Sequence, residues 1–146
     1  MQITKKVLFL GKNNDAYTLK ALNHLNLMFT EVDSYLGDWG DPLPKNAFSW
    51  IGDIIISYQS RWIVPRELID KSRELAINFH PATPDYPGIG CVNFALYENS
   101  KEYGSTCHHM NPKVDTGDII KVVKFPIYPS DNVETLLTRT YDHQIR

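Results

Sequence analysis

The stretch Lys6-Val7-Leu8-Phe9-Leu10-Gly11 puts four large apolar residues in a row and ends them on a glycine. A short run with no polar alternation is the pattern of a strand buried on both faces of a parallel sheet. Past the glycine, Asp15 is placed to cap a helix in which Leu19, Leu22 and Leu25 recur at roughly helical spacing up to Asn26. Strand, loop and helix make the first half of an α/β unit, so the spacing predicts an α/β fold with a mostly parallel sheet flanked by helices.

The remainder of the chain extends that reading. A region holding Gly37, Gly40, Pro42 and Pro44 reads as variable loop, and Asp53-Ile54-Ile55-Ile56-Ser57-Tyr58, rich in β-branched residues, as the second strand. Pro65 suits the first turn of a short helix through about Ser72, since a proline there forfeits no intrahelical bond. Leu75 to Phe79 is a third strand, and His80 to Gly90, with three prolines and two glycines, is a shaped loop. Asn93 to Tyr97 reads as a helix ending near Asn99, and Gly104 to Met110 and Ile119 to Phe125 as two more strands. A last helix is expected from Asp131, whose side chain caps it, with Glu134 completing a capping box; it is still running at Arg146. With no repeat and no linker, residues 1–146 are expected to form one domain, cut short at its C-terminus.

Composition narrows the function classes. The chain is 42% hydrophobic and 22% charged, with eight Tyr, six Phe and three Trp, which is the profile of a packed protein. Its net charge of -2 and the lack of any basic run beyond Lys5-Lys6 argue against nucleic acid as a partner. No apolar stretch approaches the ~18 residues that span a bilayer, so a cytoplasmic location with no membrane partner is expected. Cys91 and Cys107 show neither a close pair nor a metal-type spacing with the five histidines, and read as reduced thiols, although a disulfide between them stays open. No metal is expected.

The candidate site comes from topology. In open α/β sheets, ligands bind beyond the carboxyl ends of the strands, and Asn78 and His80 stand at such an end. Residues two apart on extended backbone point the same way, so both face one pocket while Phe79 packs opposite. Taken singly, an Asn at a strand end is usually a turn former, a lone His is usually packed, and Asp115-Thr116-Gly117 is an ordinary tight turn. Together, spaced around a proline-glycine loop, they favour a catalytic constellation of Asn78, His80 and Asp115.

The run Asn78-Phe79-His80-Pro81-Ala82-Thr83-Pro84-Asp85-Tyr86-Pro87-Gly88 resembles the signature loop of the 10-formyltetrahydrofolate-dependent formyltransferases. A second match follows in Gly104-Ser105-Thr106-Cys107-His108 and Val114-Asp115-Thr116-Gly117-Asp118-Ile119-Ile120, where that family places its catalytic aspartate. Two separated motifs are far more specific than either alone. The text from Asn78 to Leu96 is most similar to the sugar-nucleotide N-formyltransferases, whose acceptor is a dTDP-linked amino dideoxy sugar.

The resemblance implies a Rossmann-like catalytic domain, 10-formyltetrahydrofolate as donor, a nucleotide-sugar acceptor and room for a homodimer. It implies that a neutral amine attacks the formyl carbon while Asn78 donates to the developing oxyanion, a contribution of about 3 kcal/mol for a well-placed donor. His80 does likewise as an imidazolium, or passes a proton to the departing folate nitrogen. Asp115 orients His80 and helps remove the amine proton, and His108 supports the aspartate. Arg61, Trp62 and Ile63, with Asn111 and Val114, are the expected donor-binding segments, and Lys12 and Tyr86 the expected acceptor contacts. Three rivals are open: a hydrolase passing the formyl group to water, a glycinamide ribonucleotide or methionyl-tRNA formyltransferase, and a non-catalytic folate- or nucleotide-binding module. The tRNA reading is disfavoured by the acidic balance and the lack of a second domain.

Overall fold

The computed structural model describes residues 2–86, 91–110 and 117–145 of the chain. Its elements run β1 (Ile3–Lys12), α1 (Ala16–Met28), β2 (Phe29–Gly37), α2 (Lys45–Phe48), β3 (Gly52–Tyr58), α3 (Arg66–Ile69), β4 (Ser72–His80), α4 (Cys91–Tyr97), β5 (Glu102–His109), β6 (Ile119–Pro126) and α5 (Val133–Ile145). The six strands form one sheet in the order β2-β1-β3-β4-β5-β6. Strands β2, β1, β3 and β4 are parallel, whereas β5 joins β4, and β6 joins β5, antiparallel. This is an α/β fold with a mixed sheet, parallel over its first four strands. Among the described residues no helix is long and apolar enough to cross a membrane.

The opening apolar run is buried on both faces. Leu8 and Leu10 pack with Ile55, Trp50, Val64 and Leu68 on one side of the sheet. Val7 and Phe9 pack with Ile56 and Tyr58 on the other, where α1 supplies Leu22 and Leu25. Each such side chain contributes roughly 2 kcal/mol of hydrophobic burial. A third cluster joins Val92 and Ala95 of α4, Tyr103 of β5, Phe125 of β6 and Leu136 of α5. Asp15 caps α1 as expected, accepting from the Thr18 backbone N–H at 2.8 Å.

Four local expectations are corrected. The variable region begins with a true strand, β2, which pairs with β1 alone and is therefore an edge; its polar Glu31, Asp33 and Ser34 masked the signal because an edge strand need not be apolar throughout. Within the same region, residues 45–48 form the one-turn helix α2. Pro65 sits at the N-cap of α3 rather than inside it, and the helix ends at Ile69, so that Ser72 already belongs to β4.

The fourth correction concerns the last helix, which starts two residues after Asp131. Asn132 caps it: its side chain accepts from the Thr135 N–H at 2.9 Å, and Thr135 Oγ1 accepts from the Asn132 N–H at 3.0 Å. That is a reciprocal box with threonine in the place expected of Glu134. Asp131 instead receives two bonds from Arg139, at 2.7 and 2.8 Å, eight residues on in the helix.

The Arg139 guanidinium, with the Tyr128 N–H, holds the Asp131 carboxyl well below the usual carboxylate range. A depressed folded-state value stabilises the fold above the unfolded value and loses that stabilisation as pH falls through the folded one. The Asp131 side chain is only 3% exposed, so Asp131→Asn is expected to cost about 2 kcal/mol at neutral pH, the scale of a charge-assisted hydrogen bond. Urea denaturation at pH 7 and at pH 3 measures this, with the difference between variant and wild type shrinking at the lower pH.

Candidate active site

The parallel strands place their carboxyl ends along one rim, and the strand order reverses direction between β1 and β3. A crevice is expected at such a rim. A pocket of about 520 Å³ opens there, lined by Ser57 and Gln59 to Val64 after β3, by Asn78 to Pro81 at the end of β4, and by His108 and Met110 from β5. The far wall is α5, through Val133, Leu137 and Tyr141. Gln59, the first residue beyond β3, holds a left-handed backbone with φ of 54°. A non-glycine residue there costs on the order of 1 kcal/mol, a strain typical of functional rims.

Asn78 and His80 face this pocket, as their two-residue spacing predicts. Phe79 between them packs edge-on against Tyr58 on the α1 side, with ring centroids 6.0 Å apart. The β4–β5 register sets Asn78 directly opposite His108. His108 is 4% exposed, and its Nδ1 lies 2.9 Å from the His109 carbonyl, which can only accept. Nδ1 therefore carries the proton, and Nε2 presents a lone pair to the Asn78 Nδ2, 3.3 Å away. His108 thus fixes which end of the Asn78 amide is which.

His80 is buried, and its Nε2 donates to the Tyr86 carbonyl, which also receives the Cys91 thiol at 2.9 Å. The backbone around it is held by side chains from β5. Ser105 Oγ donates to the His80 carbonyl at 3.4 Å, Tyr103 to the Pro81 carbonyl at 2.7 Å, and Thr106 to the Ala82 carbonyl at 2.7 Å. A proline-rich loop has few N–H groups for self-pairing, so these donors from a neighbouring strand add to the pairing of its carbonyls, that of His80 also accepting from the Ala82 N–H at 2.8 Å. Neither cysteine is in a disulfide, and burial pushes the Cys107 thiol up.

Of the residues singled out from sequence, Asn78, His80, His108, Arg61, Trp62 and Ile63 come together around the pocket. Asp115, Asn111 and Val114 lie outside the described residues. Lys12 stands at the end of β1 and is not among the residues lining the pocket. Tyr86 turns its ring onto Tyr103 and its hydroxyl to Glu98 and Ser100, so its side chain packs in the α4–β5 core while its carbonyl serves His80. Trp39, Gln59 and the α5 wall were not singled out. The last had a readable signal: Val133, Leu137 and Tyr141 stand at intervals of four, one stripe of a helix. Burial raises the Tyr141 phenol above its ordinary value, so it faces the pocket as a neutral donor.

The His108 assignment is open to direct measurement. A long-range 1H–15N correlation spectrum is expected to show the His108 ring with a proton on Nδ1 and Nε2 as the acceptor facing Asn78. The opposite tautomer would remove the acceptor for Asn78.

Comparison with known proteins places this geometry. The phosphoribosylglycinamide formyltransferase of Haemophilus influenzae is 28% identical over 115 residues, 78% of this chain and 51% of that protein. A methionyl-tRNA formyltransferase of Listeria welshimeri is 33% identical over 88 residues, 60% of this chain and 28% of the relative. The chain thus spans about half, or less, of the curated relatives it matches. Among solved structures, the N-formyltransferase of Helicobacter canadensis, in complex with folinic acid and dTDP-3-aminofucose, superposes with a TM-score of 0.77 at 23% identity. That match covers 96% of this chain and 60% of the other. Residues 51–145 match the formyl transferase family, and the chain belongs to it.

Proposed function

We propose that the protein transfers a formyl group from 10-formyltetrahydrofolate to the amino group of a nucleotide-linked amino sugar, a dTDP-4-amino-4,6-dideoxy- or 3-amino-3,6-dideoxyhexose. The observation that carries the transfer chemistry is the juxtaposition of Asn78, oriented by His108, with His80 at the mouth of one pocket beside Arg61 to Val64. Family membership supports the folate-type donor. The sugar acceptor draws its support from the Helicobacter canadensis fold neighbour and from the text between Asn78 and Leu96.

The chemistry follows from the chain's own groups. The amine nitrogen adds to the formyl carbon, whose oxygen takes up negative charge. The Asn78 amide, whose Nδ2 lies 3.3 Å from His108 Nε2, is the group assigned to that oxygen. An amide fixed in advance needs no reorganisation as the charge forms. The C–N10 bond of the donor then breaks, tetrahydrofolate leaves with a proton on that nitrogen, and the amine, having lost one, becomes a formamide. His80 is the group assigned to that proton's delivery and Asp115 the one assigned to the amine's proton. The Arg61 to Val64 main chain, bordered by Trp62 and Ile63, suits a flat ring with hydrogen-bonding edges.

A second reading, glycinamide ribonucleotide as acceptor, is favoured by the Haemophilus influenzae relative. Absorbance at the tetrahydrofolate product, followed with a panel of dTDP- and UDP-linked amino sugars and with glycinamide ribonucleotide, separates the two. Turnover with one amino sugar supports the proposal, and turnover with glycinamide ribonucleotide alone replaces it. Release with no acceptor present identifies a hydrolase. In the active assay Asn78→Ala, His80→Ala and Asp115→Asn are each expected to lower kcat by about 100-fold or more, because each removes transition-state stabilisation. Wild-type rates in all three would sink the site assignment.

A further inference from the structure

Trp39 lines the pocket from the connection after β2, two residues past the carboxyl end of that strand. Its position is built by the sequence Asp38-Trp39-Gly40-Asp41. The Asp41 N–H closes a turn onto the Asp38 carbonyl at 3.2 Å, and Gly40 takes φ of 84°, a conformation that favours glycine at the third position. Trp39 is left at the corner. The turn is tied down on both sides: Asn13 donates to the Gly37 carbonyl at 3.0 Å, and Trp62 Nε1 donates to the Asp41 carbonyl at 2.9 Å. The Trp62 ring lies against Gly37 so closely that a Cβ there would stand 2.3 Å from it. A pinned turn therefore carries a tryptophan that is 64% exposed at the pocket mouth, next to Ile63, which is 66% exposed.

The Arg61 guanidinium sits 4.6 Å from the Trp39 ring centroid. Of the four described arginines, Arg66, Arg73 and Arg139 each have a carboxylate partner, and Arg61 has none. Histidines apart, Arg61 is also the one charged side chain among the described residues lining the pocket. A guanidinium stacked on an indole keeps its in-plane N–H groups for an acceptor. The mouth thus offers an exposed flat ring beside an uncompensated positive charge.

We propose that Trp39 is a specificity-determining residue of this pocket, its exposed ring seating a flat aromatic ring of the ligand whose attached anionic group is drawn to Arg61. The inference rests on the formyl-transfer reading and extends it to a residue outside the motif loops. Two molecules in that reaction carry a ring with an anion: the donor, through its aminobenzoyl ring and glutamate carboxylates, and the acceptor, through its pyrimidine and diphosphate. The same chemistry serves either, and the experiment tells them apart.

Calorimetric titration of the full chain with folinic acid and, separately, with dTDP is made on wild type, Trp39→Leu and Trp39→Phe. Exposure of the side chain means that neither substitution disturbs the core. For one of the two ligands Trp39→Leu is expected to weaken binding about tenfold, the scale of a single aromatic stacking contact. Trp39→Phe, which keeps a ring, is expected to stay within about threefold. The ligand so affected is the one seated on Trp39. Unchanged affinity for both ligands in Trp39→Leu, or equal losses in the two variants, would overturn the subsite while the transfer reading stands. A wild-type chain that binds neither ligand would overturn both.

Discussion

The antiparallel pairing of β4 with β5 is the constraint on which the site depends. It ends a parallel sheet by bringing in a strand that runs the other way, so the carboxyl end of β4 meets the side chains of β5 at full register. That single pairing places His108 opposite Asn78 and aligns Ser105, Thr106 and Tyr103 beneath the backbone at 80–82. A slip of one residue would turn every one of these side chains to the other face of the sheet. The buried hydroxyls make such a slip costly, since it would break all three of their bonds to these carbonyls.

Around that junction the rest of the molecule acts as support. The doubly buried β1 fixes the middle of the sheet, with Leu8 and Leu10 on one side and Val7 and Phe9 on the other. The α5 helix closes the pocket from above, and its first turn is secured by the Asn132–Thr135 box and by the bidentate hold of Arg139 on Asp131. The side chains that face the ligand space are thus carried on elements whose own backbone groups are satisfied, which is what keeps a reacting constellation within tenths of an ångström.

Much of this could be read in advance because the relevant signals were local. Apolar runs without alternation identified β1, β3 and β4, and the two-residue spacing of Asn78 and His80 fixed their common side. Reading failed where a residue's role is set by its distant neighbours. The edge strand β2 looks like loop because exposed polar residues, Thr30, Glu31 and Ser34, interrupt its apolar positions. Asp131 looks like a cap, yet its carboxylate is taken by Arg139, eight residues on, and by the Tyr128 N–H. Trp39 gave no signal at all, because a turn tip becomes part of a pocket only once Trp62 has drawn it there.

The far wall of the pocket consists of Val133, Leu137 and Tyr141, one residue from each successive turn of a single helix. The neighbouring stripe, with Leu136 and the buried Thr140, is committed to the core. Leu137 also packs against that core and Tyr141 on Tyr17, so replacements in the wall at intervals of four reshape both pocket and core edge while leaving chain length, loops and strand register unchanged. Such a layout lets the pocket change shape by a few point substitutions, while an insertion of even one residue in α5 would rotate the wall out of place by about 100°.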